Sequence, residues 1–169
     1  MTVTCRRFAA AVLAIGFLVA SGTGCGGATK QTKTVTPRPL SVHKSVFIDD
    51  LRLEMAALKR TFPRDEIIPL RLSITNTGTK PHALTFPSAQ THDFTIADKS
   101  DKVVWRWSDG RAFAQTFSTR NLEPGAAGTL NFFGAVKAGA LPPGEYTVSG
   151  WLTAQELFGE KISLTIAVR

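Results

Sequence analysis

The chain has 169 residues, 43% hydrophobic and 20% charged: one domain's worth of material, with the balance of a globular rather than a disordered protein. Its 20 lysines and arginines against 13 aspartates and glutamates give a formal charge of +7, but they are scattered, with no basic block and no aromatic–basic repeat, which speaks against a nucleic-acid reader. Only Cys5 and Cys25 are present, both ahead of the folded part, so neither a disulfide framework nor thiolate chemistry is expected there.

In chain order, Arg6 and Arg7 form a basic start, and Phe8–Ala20 is an apolar run of 13 residues. That run is short of the roughly 20 residues that span a bilayer. Small residues and then Cys25 follow it, the order of a secretory signal. The placement of Cys25 resembles the lipobox of bacterial lipoproteins, in which the cysteine becomes the lipid-modified N-terminus after cleavage. Such boxes carry Leu three residues before the cysteine, where this chain has Gly22. An uncleaved anchor and cleavage by an ordinary signal peptidase are the alternatives. The reading is therefore a signal over residues 1–24, lipid attachment at Cys25 with a Gly-, Thr-, Lys- and Pro-rich tether over 25–41, and a folded domain over 42–169. Loss of Arg6 and Arg7 leaves 18 basic against 13 acidic residues, +5, enough only for modest, unspecific attraction to an anionic surface. The expected location is outside the cytoplasm, on a bacterial membrane, facing the periplasm or the exterior.

Within the domain, apolar residues alternate with a period of two, the signature of half-buried strands. Leu51, Leu53 and Met55 share a face, as do Ile68, Leu70, Leu72 and Ile74; Leu84 and Phe86; Phe94 and Ile96; and Ile162, Leu164, Ile166 and Val168. Residues 56–64 are compatible with a brief helical turn limited by Pro63, and Asn76-Thr77-Gly78-Thr79 reads as a turn. Seven to nine short strands separated by Gly, Pro, Asn and Asp clusters predict an all-β, immunoglobulin-like antiparallel β-sandwich.

The stretch Val103–Gly110 (VVWRWSDG) places Val103, Trp105 and Trp107 on one side of a strand and Arg106 on the other. Taken as a three-residue loop with Gly110 left-handed, Ser108–Gly110 would pair Trp105 with Phe113 and gather both tryptophans, Phe113 and Phe117 on one apolar face. A two-residue turn would scatter them, so the three-residue loop is the expected register. The tryptophans then belong in or at the rim of the core. Trp151 has the opposite parity to Tyr146, Val148 and Leu152: either a bulge at Gly150 turns it inward or it faces out as a contact residue.

Four segments in order carry a family resemblance: FPSAQTHDF at Phe86–Phe94, VWRWSDGRAFAQ at Val104–Gln115, LEPG at Leu122–Gly125, and PGEYTVSGWLT at Pro143–Thr153. Together they resemble the BsuPI family, the Bacillus-type intracellular proteinase inhibitor domain. The resemblance implies an immunoglobulin-like sandwich and a protein partner, a serine protease. It supplies no reactive-site residue. Ser88, Gln90, Asp93, Arg106 and Gln115 match the family pattern, either as contacts or as residues tying loops to strands.

Catalytic and metal chemistry is not indicated. His43, His82 and His92 show no metal-ligand spacing, His92 and Asp93 are neighbours on a strand and so point to opposite faces, and no G-x-S-x-G elbow or phosphate-binding loop is present. The expected function is binding without a cofactor. Its candidate residues are Arg106, Asp109, Trp151, Gln90 and Asp93, and its candidate loops precede Phe94, follow Trp107, or span Leu141–Gly144. Two readings stand: an envelope-anchored proteinase inhibitor, and a tethered module that assembles with another envelope protein and inhibits nothing.

Overall fold

The computed structural model describes residues 42–169, so the signal, Cys25 and the tether lie outside the described residues. Eleven strands follow one another: β1 Val42–Ile48, β2 Leu51–Ala57, β3 Thr61–Phe62, β4 Ile67–Asn76, β5 His82–Phe86, β6 His92–Ala97, β7 Val103–Arg106, β8 Ser118–Leu122, β9 Thr129–Lys137, β10 Gly144–Leu152 and β11 Ile162–Val168. One sheet has the order β1-β2-β4-β9, the second β3-β11-β10-β6-β7, and β5 and β8 form a separate ribbon. All pairs are antiparallel except β3 with β11. The fold is the expected all-β sandwich. The count exceeds seven to nine because β3 is only two residues long and the β5–β8 ribbon is separate.

The alternating faces meet as the pattern predicts. Leu53, Met55, Ile68, Leu70, Leu72 and Ile74 from one sheet pack against Phe94, Ile96, Val148, Ile162 and Ile166 from the other, all fully buried. Each such side chain contributes about 1.5–3 kcal/mol. Two polar residues tie down the ends. Buried Asn76 donates from its amide to the carbonyls of Lys80 (2.7 Å) and Leu122 (2.9 Å) and accepts from Gly78 N–H (2.9 Å), joining β4 to β8. The Tyr146 hydroxyl donates to the Pro142 carbonyl at 2.6 Å, an arrangement like the tyrosine corner of immunoglobulin-like sandwiches.

The sheets meet most closely at Phe94. Gly150 lies opposite it on β10 and Gly134 faces it from β9. A methyl group at Gly134 would stand 2.8 Å from the Phe94 ring, and one at Gly150 would stand 3.1 Å from it. The ring fills the space that two missing side chains leave, one in each sheet.

Three expectations are corrected. Residues 56–64 form no helical turn: Ala56 and Ala57 complete β2, and Thr61–Phe62 pairs with β11, because Phe62 must be buried and Arg60 O and Phe62 O accept Ala167 N–H (2.8 Å) and Arg169 N–H (3.0 Å). The hairpin returning from Gly110 does not form either. Gly110 is left-handed (φ 71°) and Arg111 N–H reaches Ser108 O at 3.1 Å, so the three-residue loop is real, but β7 pairs with β6 and the chain leaves to build β8 on β5. Burial of Leu122 at the end of β8 favours that exit. Trp105 therefore faces Ile96 rather than Phe113, and Phe117 is 70% exposed. Finally, Val104 is an extra residue between the Ala97–Val103 and Ile96–Trp105 pairs, so Val103 leaves the apolar face. Trp105 and Trp107 lie at the rim of the core, as expected.

Gly134→Ala forces a methyl into the packed Phe94 ring. It is expected to lower stability by about 1–3 kcal/mol, read as a lower urea midpoint with an unchanged m-value. Phe94→Ala is expected to cost about 3–5 kcal/mol. A wild-type midpoint for Gly134→Ala would refute the close approach.

Candidate functional site

The segment that follows β7 is an exposed irregular stretch beside the core. Trp107 N–H continues the ladder by donating to Phe94 O at 2.9 Å. Beyond it, residues 111–117 have no regular structure, and all of them except Phe113 are exposed. They run between two fixed points, the Ser108–Gly110 turn and the start of β8.

The fixing comes from β6, and it uses both faces of that strand. On the outer face, Asp93 is only 2% exposed, and its two oxygens are fully engaged. Oδ1 accepts Phe94 N–H (2.9 Å) and Ser108 N–H (3.1 Å), and Oδ2 accepts the Ser108 hydroxyl (2.7 Å). A buried carboxylate with three donors is a clamp on the turn. On the inner face, His92 is 8% exposed and packs its ring 4.3 Å from Trp107, 5.2 Å from Phe132 and 5.5 Å from Phe94. Its Nε2 lies 3.3 Å from the carbonyl oxygen of Phe133 on β9, and its Nδ1 lies 3.2 Å from the Thr91 hydroxyl. Burial holds the His92 pKa below the ordinary histidine value, against the opposing pull of the Phe133 carbonyl and of Asp93.

Trp107 is the other anchor. Arg111 donates from Nε to the Trp107 carbonyl at 2.8 Å and lays its guanidinium 4.2 Å over the indole. Phe113 stacks on the same indole at 5.9 Å. Further along, Ala89 N–H donates to Ala114 O at 2.9 Å. The result is a short exposed strip, Arg111–Phe117, with Ala112, Gln115, Thr116 and Phe117 presented to solvent.

The five candidate residues separate into three groups. Asp93 and Gln90 are braces: the Gln90 carbonyl accepts the Thr153 hydroxyl, and its N–H donates to Ser88 Oγ at 3.2 Å, which folds the loop before β6. Asp109 is exposed at the tip of the turn, and its carboxylate has no partner among the described residues. Arg106 and Trp151 come together on the outer face of the second sheet, lining one groove. No bulge occurs at Gly150; the register runs unbroken through Gly150–Phe94 and Trp151–Asp93, so Trp151 faces out, half-buried, with Lys161 Nζ 4.7 Å above its ring. Gln115 is exposed rather than on the tryptophan face. In the third candidate loop, Leu141 is buried while Pro142 and Pro143 are exposed.

His92 and Arg111 are the functional braces that the sequence did not single out. His92 shares parity with Phe94 and Ile96, which was a legible sign of an inward ring. Nothing local announces Arg111. The three histidines sit on β1, β5 and β6, in three different sheets, and among the described residues no group of three His, Cys, Asp or Glu side chains converges.

A protein-family comparison gives a match that spans most of the fold. The BsuPI family, described as intracellular proteinase inhibitor, matches residues 56–157, from within β2 to the turn before β11. No curated protein matches the chain. Among solved structures, similarity is found to the sporulation control protein Spo0M of Bacillus subtilis, with 14% identity and a TM-score of 0.46 over 72% of this chain and 50% of that one. It is found also to a β-glucosidase of Erythrobacter marinus, with 15% identity and a TM-score of 0.40 over 68% of this chain and 15% of that one. An alkylpurine DNA glycosylase of Pseudomonas fluorescens shows 16% identity and a TM-score of 0.39 over 67% of this chain and 28% of that one. The chain spans half or less of the length of each of these proteins.

Two tests follow from the braces. A histidine whose folded pKa is depressed adds stability in full above its unfolded value of about 6.5, and that stability is lost as pH falls through the folded pKa. The urea midpoint is expected to fall as pH drops below about 6.5, and His92→Gln to remove that part of the slope. An unchanged slope in the variant would assign the pH dependence elsewhere. Asp93→Ala is expected to cost about 1.5–3 kcal/mol and to expose Arg111–Phe117 to nicking in limited proteolysis. Wild-type resistance would mean that Asp93 does not hold the turn.

Proposed function

The chain belongs to the BsuPI family of intracellular proteinase inhibitors, and from that premise we propose that it binds a serine proteinase and blocks it with the exposed strip Arg111–Phe117. The observation that carries this reading is the strip itself, solvent-facing, outside any strand or helix, and held at both ends. Proteinase clefts take substrates as extended strands, pairing main chain with main chain. A strip already tied down at both ends forfeits less entropy on binding, which raises affinity without new contacts. Stiffness usually comes from disulfides in small inhibitors; here the Asp93–Ser108 clamp and the Trp107–Arg111–Phe113 stack serve that purpose. Family membership supports binding rather than catalysis.

The proposal extends to place. The basic start, the apolar run and Cys25 support export and lipid attachment, so that the domain over 42–169 works on a tether at the cell envelope. The proteinase would then be an envelope enzyme. A second reading, an assembly module without inhibitory action, draws support from Phe133, 65% exposed on the edge strand β9.

The test titrates the chain lacking residues 1–24, with Cys25→Ser, against subtilisin-like and trypsin-like proteinases. The expected result is stoichiometric loss of proteinase activity with the inhibitor intact by mass. Replacing Gln115–Phe117 by three glycines is expected to weaken inhibition at least tenfold, with little change in melting temperature because those side chains are exposed. Cleavage within 111–117 without inhibition would reduce the family relationship to one of fold and favour the assembly reading.

A further inference from the structure

The outer face of the second sheet carries a groove that the core does not require. Its volume is about 520 Å3, within the range of small-ligand sites. Trp151 stands in it because Gly150 and Leu152, its neighbours on β10, take the inward positions. Around it the outer face is low: Ser149 and Ser163 bond to each other at 2.8 Å, and Thr95 lies beside them on β6. The indole therefore rises above its short polar neighbours on that face. Facing the groove from the turn before β11 is Phe158, 94% exposed, on a turn whose Gly159 is left-handed (φ 88°). That ring is nearly unburied in the free domain.

Three charged residues line the same space. Arg106 reaches it from β7 and, among the described residues, has no side-chain hydrogen bond or ion pair. Lys161 places its ammonium over the Trp151 ring, where the contact fixes its position while leaving it without a carboxylate partner. Glu160 supplies one negative charge at the same groove. Two cations and one carboxylate leave a net attraction for a single negative charge.

We propose that this groove binds a carboxylate carried on an apolar or aromatic body. The body lies between Trp151 and Phe158, and the carboxylate meets Arg106 and Lys161. Arginine suits that partner because its fork of donors matches the two carboxylate oxygens. Glu160 disfavours a second negative charge on the ligand. The terminal residue of a peptide and a free aromatic acid share this chemistry. None of these residues belongs to Arg111–Phe117, so the site stands or falls apart from the inhibitory strip.

The probes are N-acetylphenylalanine, its amide, and the peptide Ala-Ala-Ala-Phe with a free C-terminal carboxylate. Each is titrated into the full chain by calorimetry, with the Trp151 indole N–H followed by NMR and assigned through Trp151→Phe. The acid is expected to bind and shift that resonance, and the amide to bind at least tenfold more weakly. Arg106→Gln and Lys161→Gln are each expected to weaken the acid about tenfold without lowering the melting temperature, since both side chains lie on the surface. A peptide that binds at least as tightly as the acid identifies a chain terminus as the ligand; a peptide that does not bind, beside an acid that does, identifies a free acid. Both results support the site. Equal affinity for acid and amide, no binding at millimolar concentration, or wild-type affinity in both charge variants would overturn it.

Discussion

Phe94 has its ring where two glycines leave room, Gly150 beside it in its own sheet and Gly134 across the sandwich. Everything that distinguishes this domain is arranged around that contact. Because β9 comes so close to β6 there, His92 can reach the carbonyl of Phe133, and Trp107 can settle against Gly134 and the histidine ring. Protein interiors are packed like crystals, so a contact this tight leaves few alternative arrangements for its neighbours. The exposed strip Arg111–Phe117 follows the turn after Trp107 and inherits its position from the core.

Strand β6 thus acts in two directions. Its inward residues, His92 and Phe94, bind the sheets together; its outward Asp93 grips the turn at Ser108. A disulfide would do this with one covalent bond. Here a buried carboxylate with three donors and an aromatic ring with an arginine on one face and a phenylalanine stacked against it share the task. These supports differ in kind from a disulfide. They need no oxidising compartment, and His92, packed against the Trp107 ring, is held below its ordinary pKa by burial.

Two surfaces with different physics result. The strip Arg111–Phe117 offers exposed main chain with Gln115, Thr116 and Phe117 beside it, and suits a partner that pairs with backbone. The groove at Trp151 offers an aromatic wall and unpaired cations, and suits a partner that brings an apolar group with a charge. Arg106, whose strand leads into the turn, lines the groove.

The strand pattern was legible in the chain because a residue's parity on a strand depends only on its neighbours in sequence. Alternation at Leu51–Met55, Ile68–Ile74 and Ile162–Val168 was enough to assign the all-β class, and the ordered segments around VWRWSDG were enough to assign the family. Local turn chemistry was legible for the same reason, as Gly110 shows. Which strand pairs with which was not. The hairpin drawn back from Gly110 satisfied parity, yet β7 pairs with β6, and β8 lies on β5, because burial of Leu122 and stacking of Phe113 on Trp107 outweigh a local ladder. Asp93 could be a contact or a tie between loop and strand, and is a buried clamp; Trp151 could face either way until the unbroken register beside Phe94 decided it. The chain by itself determined the strands and their faces, through contacts between near neighbours. The tertiary structure alone decided their partners and the position of the exposed strip, since those rest on contacts between residues far apart in sequence, which parity cannot encode.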